Sequence, residues 1–253
     1  MALLRPAWPA PADVVGAAMS TRVGGVSTGA YTSNNLGVAV GDEALAVAHN
    51  RSRWAQAIDA RPVWLRQVHG THVLHLTADT PDAPETPADA AWTGERGLAC
   101  TVQAADCLPM LFSTRDGRAV AAAHAGWRGL AAGVIEATLK ALQTGAAAEP
   151  AEVLAWLGPC IGPRQFEVGA DVLHALGHDP ATPDPAFFRP RPRPDGAPRW
   201  LANLHALAGL RLRTAGVRHV STEPACTVED ASSFFSFRRD GVTGRMAAAV
   251  WRR

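Results

Sequence analysis

Apolar residues recur at helical spacing in several stretches of this chain. In residues 42–58 the apolar stripe runs from Leu45 to Ile58, and Asp42 precedes it as a candidate N-cap. The same kind of pattern predicts further helices over residues 128–143, 169–177 and 200–215. These segments alternate with shorter apolar runs, which indicates that helices and strands are interleaved along the chain.

The shorter apolar runs predict strands, and they are densest between residues 97 and 124. We expect strands in residues 62–76, with an interruption at Gly70, and in residues 97–103, 109–113, 118–124, 153–157, 217–221 and 244–251. The run 118–124 is almost entirely alanine and valine, which predicts a central strand covered on both faces. His124 ends this strand just before a helix, where open α/β sheets bind ligands.

Two segments lack either pattern. Residues 78–90 are rich in proline, aspartate and threonine and predict a solvated loop. Residues 179–198 hold many prolines and arginines, which predicts an irregular loop and a candidate flap over a functional site.

Composition places this chain of 253 residues among ordinary globular proteins, with 47% apolar and 19% charged residues. The net charge of +1 excludes an electrostatic case for nucleic acid or an anionic membrane surface. No apolar run approaches the roughly 18 residues of a membrane-spanning helix. The N-terminus lacks a secretory pattern and the four cysteines lack a Cys-x-x-Cys pair, so we expect a cytoplasmic protein with reduced thiols.

His69, Cys107 and His124 are the strongest candidates for chemistry, and each lies in a short polar segment. Two imidazoles and one thiolate suit zinc, and three protein ligands leave a position for water or substrate. Such scattered ligands are typical of a catalytic site, whereas a structural zinc knuckle has closely paired ligands. His72 and His75 compete with His69, and spacing alone does not choose among the three.

The same side chains allow two other interpretations. Cys107 and His124 also fit a thiolate nucleophile and its base, which would make the protein a metal-independent hydrolase. A non-catalytic domain that binds a ligand and holds a structural metal is the third interpretation. A multicopper oxidase typically needs His-x-His pairs, and the nine histidines include none. The usual zinc signature of nucleobase deaminases, His-x-Glu followed by Pro-Cys-x-x-Cys, is also missing.

Eight segments, in order across nearly the whole chain, resemble the laccase-domain family, also called polyphenol oxidase, YfiH-like or peptidoglycan editing factor proteins. They are Thr21-Arg22-Val23-Gly24-Gly25-Val26-Ser27, Asn35-Leu36-Gly37, Gln67-Val68-His69-Gly70, Ala105-Asp106-Cys107-Leu108-Pro109, His124-Ala125-Gly126-Trp127-Arg128-Gly129, Gly158-Pro159-Cys160-Ile161-Gly162-Pro163, Phe166-Glu167-Val168-Gly169, and Phe235-Ser236-Phe237-Arg238-Arg239-Asp240-Gly241 with Gly244-Arg245. The resemblance implies one α/β (α+β) domain over residues 1–253, built from layered mixed β-sheets flanked by helices.

The resemblance also implies an activity: zinc held by His69, Cys107 and His124, and phosphorolysis of adenosine, inosine and methylthioadenosine, with adenosine deamination beside it. Copper and laccase (polyphenol oxidase) activity are attributed to the family too. The editing-factor name implies that the hydrolase alternative would act on a peptidoglycan precursor. Asp106 is the nearest candidate acid or base, although on a straight strand it would face away from Cys107.

We expect the partners to be a purine nucleoside and phosphate, and the protein to be a monomer or a small homo-oligomer. Arg22 and Arg128 lie in glycine-rich loops and are assigned, with Asn35, to substrate or phosphate binding, because a guanidinium fork suits an anion. The N-terminus of the helix that follows Gly126 is a further candidate for contacting phosphate.

Overall fold

The computed structural model describes residues 2–253, which form 14 strands and six α-helices. The strands are β1 (Leu3–Leu4), β2 (Val15–Ser20), β3 (Arg61–Trp64), β4 (Val73–His75), β5 (Ala90–Thr93), β6 (Leu98–Ala104), β7 (Leu108–Thr114), β8 (Val120–Ala125), β9 (Val153–Leu157), β10 (Glu167–Val168), β11 (Phe188–Pro190), β12 (Trp200–Ala202), β13 (His219–Thr222) and β14 (Met246–Arg252). The helices are α1 (Ala44–Ile58), α2 (Trp127–Ala132), α3 (Val134–Ala146), α4 (Ala170–Ala175), α5 (Leu204–Thr214) and α6 (Phe237–Asp240).

Two mixed sheets contain most of the strands. One has five strands in the order β1-β2-β14-β6-β3, and the other has six in the order β13-β9-β7-β8-β5-β4. The pairs β3–β6, β13–β9 and β4–β5 are parallel and the remaining pairs of these two sheets are antiparallel. A small antiparallel sheet, β10-β12-β11, lies apart from them. The predicted α/β (α+β) architecture of layered mixed sheets is confirmed.

Strand β8 shows how the layers fit together. Val120 and Ala122 belong to the apolar core shared by the two large sheets, while Ala121 and Ala123 belong to the core on the helical side. Side chains alternate between faces along a strand, so small apolar residues at every position allow close packing on both sides. The predicted central strand with two covered faces is therefore confirmed.

Helices cover the outer faces of both sheets. Leu139 and Leu142 of α3, with Leu207 of α5, complete the core over the six-stranded sheet. On the outer face of the five-stranded sheet, Trp54 and Ile58 of α1 pack in a separate cluster. The predicted flanking helices are confirmed, and the order of layers is helix, sheet, sheet, helix.

Three helix predictions differ in detail from the structure. The helix predicted over residues 128–143 is divided into α2 and α3 at Gly133, whose φ of 100° is a left-handed conformation that glycine adopts without strain. Asp42 does not cap α1, because Glu43 occupies the N-cap position and the Asp42 carboxylate accepts a hydrogen bond from the Asn35 side chain. The helix predicted from residue 200 begins at Leu204, since residues 200–202 form β12.

The proline- and arginine-rich segment 179–198 contains one strand, β11, which pairs with β12 as a hairpin. No residue of this segment lines the large cavity described below, so the structure does not place it as a flap over that site. Arg191 and Arg193 of this segment line a separate cleft beside β10.

Gly16 provides a test of how tightly β2 and β14 pack. A Cβ atom at this position would lie 2.1 Å from Cε2 of Trp251, the partner of Gly16 across the two strands. Because Trp251 is buried, we expect Gly16→Ala to lower the free energy of unfolding by about 1–3 kcal/mol. Chemical denaturation measures the change. Gly94→Ala, where the nearest atom is 3.6 Å away, is the control and should change stability little. Equal stabilities would contradict the packing described.

Candidate metal centre

The structure brings His69, Cys107 and His124 together. Their potential ligand atoms all lie within 4.8 Å of one another, and His69 Nε2 is 3.8 Å from Cys107 Sγ. His69 is exposed, Cys107 is partly exposed and His124 is buried, so the cluster extends from the interior to a solvent-accessible surface. The predicted convergence of three residues distant in sequence is therefore observed.

Both solvent-facing members of the cluster lie on connections between the two large sheets. His69 lies between β3 of the five-stranded sheet and β4 of the six-stranded sheet, and Cys107 lies between β6 and β7, which belong to the same two sheets. His124 projects from β8 near its end. Both crossings use left-handed backbone, with φ of 61° at His69 and 98° at Asp106. The chain thus turns sharply at the points where it presents the donors.

Asp89 organises this cluster from behind. Its carboxylate is fully buried and accepts hydrogen bonds from the backbone amides of Val68, His69 and Gly70 at 2.7–3.0 Å. It also accepts a bond from His124 Nδ1 at 2.8 Å, and its backbone carbonyl accepts one from the His124 amide at 2.7 Å. A carboxylate on one ring nitrogen fixes the tautomer and leaves the other nitrogen to bind a metal.

Sequence reasoning missed Asp89. It belongs to residues 78–90, predicted as a solvated loop, but Ala88, Asp89 and Ala90 are all buried. The prediction was wrong for the last part of this segment, because Ala90 starts β5 and pairs inside the six-stranded sheet. The available signal was an aspartate directly before the apolar run that starts at Ala90.

The charges in the cluster favour the thiolate form of Cys107, which is the form that binds a metal. Burial opposes ionisation of the Cys107 thiol, but the positive charge and hydrogen bonds of His124 and His69 outweigh it and lower its pKa to about 6. Burial likewise opposes protonation of His124, but the Cys107 thiolate and Asp89 outweigh it and raise its pKa to about 9. The cluster therefore holds a thiolate beside an imidazolium, and an incoming metal cation would replace the imidazole proton.

The donor set suits a metal ion. Two imidazole nitrogens and one thiolate sulfur match the preference of zinc, and thiolate and imidazole also bind copper. Among residues 2–253, this is one group of at least three His, Cys, Asp or Glu side chains close enough to share an ion. A Cβ atom at Gly126 would lie 2.9 Å from both Cys107 Sγ and His69 Cδ2, so only glycine leaves this side of the cluster clear.

The competing histidines lie elsewhere. His72 Nδ1 lies 2.8 Å from the carbonyl oxygen of Pro87, and His75 stacks on Trp92 with ring centroids 4.1 Å apart. Neither belongs to the cluster, so the tertiary structure makes the choice that spacing left open.

The remaining cysteines, Cys100, Cys160 and Cys226, are free and buried. Burial raises the pKa of the Cys100 and Cys160 thiols, which keeps these thiols protonated.

A cavity of about 730 Å³ opens beside the cluster, large enough for a nucleoside and an anion. Its walls combine aromatic and apolar side chains with five arginines and a single carboxylate, that of Asp106. The residues that carry this charge are Arg51, Arg66, Arg128, Arg238 and Arg245. The cavity is therefore a basic chamber with the cluster at one wall, which suits an anionic reactant.

Asp106 lines the cavity, but its carboxylate is already engaged. One oxygen accepts a hydrogen bond from the Thr227 hydroxyl at 2.5 Å and the other accepts one from the Arg238 amide at 2.6 Å. The straight strand considered in the sequence analysis does not occur, since β6 ends at Ala104 and β7 starts at Leu108. Asp106 thus anchors the loop of Arg238, and these contacts do not support its assignment as an acid or base.

Of the three residues assigned to substrate or phosphate, the structure places one on the cavity wall. Arg128 lines the cavity with its guanidinium 4.3 Å above the Trp127 ring. Arg22 does not line it, and instead donates to the carbonyl oxygens of Thr32 and Ala231. Asn35 is fully buried outside the cavity.

Asn35 acts on the site indirectly. Its side-chain oxygen accepts hydrogen bonds from the amides of Gly37 and Arg245, and its nitrogen donates to Asp42. The motif that contains Asn35 therefore fixes the backbone of Arg245, one of the arginines on the cavity wall.

The helix that follows Gly126, α2, has only six residues. Its dipole therefore attracts an anion less strongly than the dipole of the long helix predicted there.

Arg51 and Arg245 are cavity residues that sequence reasoning did not assign to the site. Arg51 donates to the carbonyl oxygen of Leu36 and lies 3.9 Å over the Trp64 ring, and burial lowers its pKa to about 10. Arg245 donates to the carbonyl oxygens of Thr243 and Gly244, and burial lowers its pKa as well. Within residues 2–253 neither forms an ion pair with a carboxylate. Their charges remain available to a ligand.

Fold and site together define a class: a layered α/β protein with a His–Cys–His metal centre open to a basic cavity. The family model described as "Multi-copper polyphenol oxidoreductase laccase" matches residues 16–253. The chain therefore belongs to this laccase-domain family, as the resemblance of its motifs implied. The helices of residues 2–253 include none that is both long and apolar enough to cross a membrane.

Similar proteins cover almost the whole chain. It is 46% identical over 250 residues to a protein of Pseudomonas aeruginosa named purine nucleoside phosphorylase, covering 99% of this chain and 98% of that one. It is 45% identical to the purine nucleoside phosphorylase YfiH of Escherichia coli, with 98% of each covered. The crystal structure of YlmD from Geobacillus stearothermophilus superposes with a TM-score of 0.88 at 33% identity, covering 100% of this chain and 97% of YlmD.

Asp89→Asn tests whether Asp89 positions the metal ligands. We expect zinc affinity to fall about 10–100-fold, because an uncharged amide accepts fewer of these bonds and supports His124 less well. Competition with a chromophoric chelator measures the affinity, and circular dichroism verifies folding. Asp79→Asn, at an exposed position, is the matched control and should leave zinc affinity unchanged. An unaltered affinity in Asp89→Asn would remove Asp89 from the metal site.

Proposed function

We propose that the protein is a zinc-dependent purine nucleoside phosphorylase. It would act on adenosine, inosine and methylthioadenosine with phosphate, releasing the free base and the sugar 1-phosphate, and would deaminate adenosine as a side activity. The observation that carries this proposal is a three-donor centre open to a basic cavity of about 730 Å³. The names of the relatives that match over 98–99% of this chain support it.

His69, Cys107 and His124 would hold the zinc ion. We favour zinc over copper because one centre with three donors does not provide the several copper sites of a multicopper oxidase. When bound, zinc supplies a Lewis acid that polarises a substrate atom or lowers the pKa of a bound water. Asp89 keeps His124 in the tautomer that can bind the metal.

Phosphorolysis replaces one bond to the ribose C1′ atom with another. An oxygen of phosphate forms a bond to C1′ while the bond from C1′ to the purine nitrogen breaks, and the base leaves with the electron pair and takes up a proton. Positive charge builds on the sugar during this step, as in other glycosidic cleavages. A phosphate held close to C1′ both attacks and stabilises that charge.

Arg51 and Arg245 are the residues we assign to phosphate. Each guanidinium is partly buried, carries hydrogen bonds only to backbone carbonyls and lacks a carboxylate partner within residues 2–253. Burying a cation without a counter-charge costs free energy, and a bound dianion would recover part of that cost. Arg128, exposed at the cavity wall, would add a third cation.

Flat and polar groups for the purine are available on the same walls. Phe166 and Phe237 both line the cavity, and Phe237 is 58% exposed, so its ring is accessible to a flat ligand. Gln67 is occupied, since its side chain exchanges two hydrogen bonds with the backbone of Gln103. Those bonds use only the backbone of Gln103. Its side chain also lines the cavity and is the polar group that we assign to an edge of the base.

One observation favours a second candidate, the Cys–His hydrolase that would act on a peptidoglycan precursor. Cys107 is held as a thiolate beside His124, and Asp89 binds the far side of His124. This order of thiolate, imidazole and carboxylate also occurs in cysteine hydrolases. Metal dependence distinguishes the two candidates, because only the phosphorylase would lose activity to a chelator.

Incubation of the zinc-loaded protein with adenosine, with and without phosphate, tests the proposal. We expect adenine and ribose 1-phosphate only when phosphate is present, inosine as a minor product, and loss of all products after chelation, with mass spectrometry as the readout. Cys107→Ala should be inactive, and His75→Ala should retain zinc and activity. Unchanged adenosine in both incubations would refute the proposal. Metal-independent amide cleavage that alkylation of Cys107 abolishes would establish the hydrolase instead.

Arg245→Gln and Arg51→Gln test the assignment of phosphate. We expect KM for phosphate to rise about 10–100-fold, as for loss of a charged hydrogen bond, while KM for adenosine changes less than about twofold. Arg218→Gln, at an exposed position, is the control. Steady-state kinetics with each substrate varied in turn gives the two constants. Equal rises in both constants would argue against a specific phosphate contact.

A further inference from the structure

A second basic cleft lies beside the small β10-β12-β11 sheet. Its volume is about 540 Å³, and the charged side chains that line it are Glu167, Arg191, Arg193, Arg199 and Arg238. Four guanidinium groups thus face one carboxylate. We propose that this cleft is a separate binding site for a small molecule that carries a phosphate group.

The hairpin of residues 188–202 builds the cleft through its alternation of arginine and proline. Phe188 pairs with Ala202 and Pro190 with Trp200, and further along the Arg191 amide donates to the carbonyl oxygen of Arg199 at 2.7 Å. The Arg193 amide likewise donates to the carbonyl oxygen of Ala197 at 3.0 Å, so the extended pairing continues past β11. Alternate residues of an extended chain share one face, and Arg191 and Arg193 both line the cleft. The opposite face contributes Phe188, Trp200 and Ala202 to the apolar core.

This arrangement places like charges directly opposite each other. Arg191 and Arg199 face one another across the hairpin, and like charges in that position destabilise a sheet. Glu167 offsets only part of the repulsion: its carboxylate binds Arg193 at 2.9 Å and lies 3.9 Å from Arg199. No hydrogen-bond acceptor within residues 2–253 contacts the Arg191 side chain. A bound anion would relieve this repulsion.

The hairpin is also held in a defined shape before any ligand binds. Pro190, Pro192 and Pro194 restrict the backbone of one strand, and β11 is an edge strand, where proline leaves no hydrogen bond unmade. Restricting the free conformation reduces the entropy lost on binding. On the far wall, Arg238 donates to the carbonyl oxygen of Glu167 at 3.1 Å. Arg193 and Arg238 are therefore held by Glu167 from both sides of the cleft, while the Arg191 side chain keeps its donors for a ligand.

Phosphate is the chemistry that fits these groups. Guanidinium forks bind phosphate oxygens in pairs, and several forks around one concavity suit a dianion better than a single carboxylate. The volume lies in the range of small-molecule sites. The net charge of only +1 for the whole chain does not favour a long polyanion such as RNA.

The site does not coincide with the main cavity. The hairpin arginines 191, 193 and 199 line only the second cleft, while Arg51 and Arg245 line only the first, and Arg238 contributes to both. Binding at the second cleft does not require the proposed phosphorylase activity. The two can accordingly be tested in one protein by first removing Arg51 and Arg245, the two cations of the main cavity that we assign to phosphate.

The test uses isothermal titration of the full-length Arg51→Gln/Arg245→Gln protein at constant ionic strength, with inorganic phosphate, pyrophosphate and adenosine 5′-monophosphate as probes. We expect saturable binding of at least one probe at a single site. Adding Arg191→Gln and Arg193→Gln should weaken it at least about tenfold, as for loss of two charged hydrogen bonds. Adding Arg213→Gln and Arg218→Gln instead removes the same charge at exposed positions and should change it less than about twofold.

The pattern of probes identifies the ligand. Similar affinities for all three would show that the phosphate group alone is read, and tighter binding of the nucleotide would show that the cleft also contacts the organic part. Absence of saturable binding would overturn the proposal, and so would equal weakening by the two arginine pairs. Binding of a single-stranded RNA oligomer more tightly than any probe would also overturn it, in favour of a polyanion surface. Thermal unfolding curves verify that each variant folds.

Discussion

The buried carboxylate of Asp89 is the interaction on which the site depends. An ionised side chain without solvent contact is tolerated only when its oxygens are fully hydrogen-bonded, and Asp89 satisfies this with three consecutive amides and His124. The same four bonds connect the loop of His69 to the end of β8. One charge thus joins the two imidazole donors, and it stabilises the imidazolium that faces the Cys107 thiolate.

The two packed sheets decide where that cluster forms. His69 and Cys107 lie on the two connections β3–β4 and β6–β7, each of which passes from the five-stranded to the six-stranded sheet. These crossings end at the edge of the inter-sheet core, next to β8, whose alanines let both layers approach closely. A metal site between the layers has rigid support on one side, and the other side opens to the cavity.

The distribution of positive charge then favours some ligands over others. The whole chain is nearly neutral, yet arginines are concentrated around the main cavity and around the hairpin cleft. Within residues 2–253, the partly buried guanidiniums of Arg51 and Arg245 have no carboxylate partner, so their charge remains available to a ligand. Concentrated positive charge within a neutral surface favours small anions over extended ones.

Local patterns were sufficient for the alternation of helices and strands, the central alanine strand and the candidate donors Cys107 and His124, because hydrophobic periodicity and donor chemistry are properties of short segments. The layered fold class and the choice of His69 were implied by the resemblance of the motifs to a known family. The residues alone left His72 and His75 as rivals of His69 and did not point to Asp89, Arg51 or Arg245. Arg22 and Asn35 were assigned to substrate or phosphate, but neither lines the cavity. Those decisions depend on which loops meet across the two sheets. Contacts between residues far apart in sequence exist only once the layers have packed, so only the tertiary structure could make them.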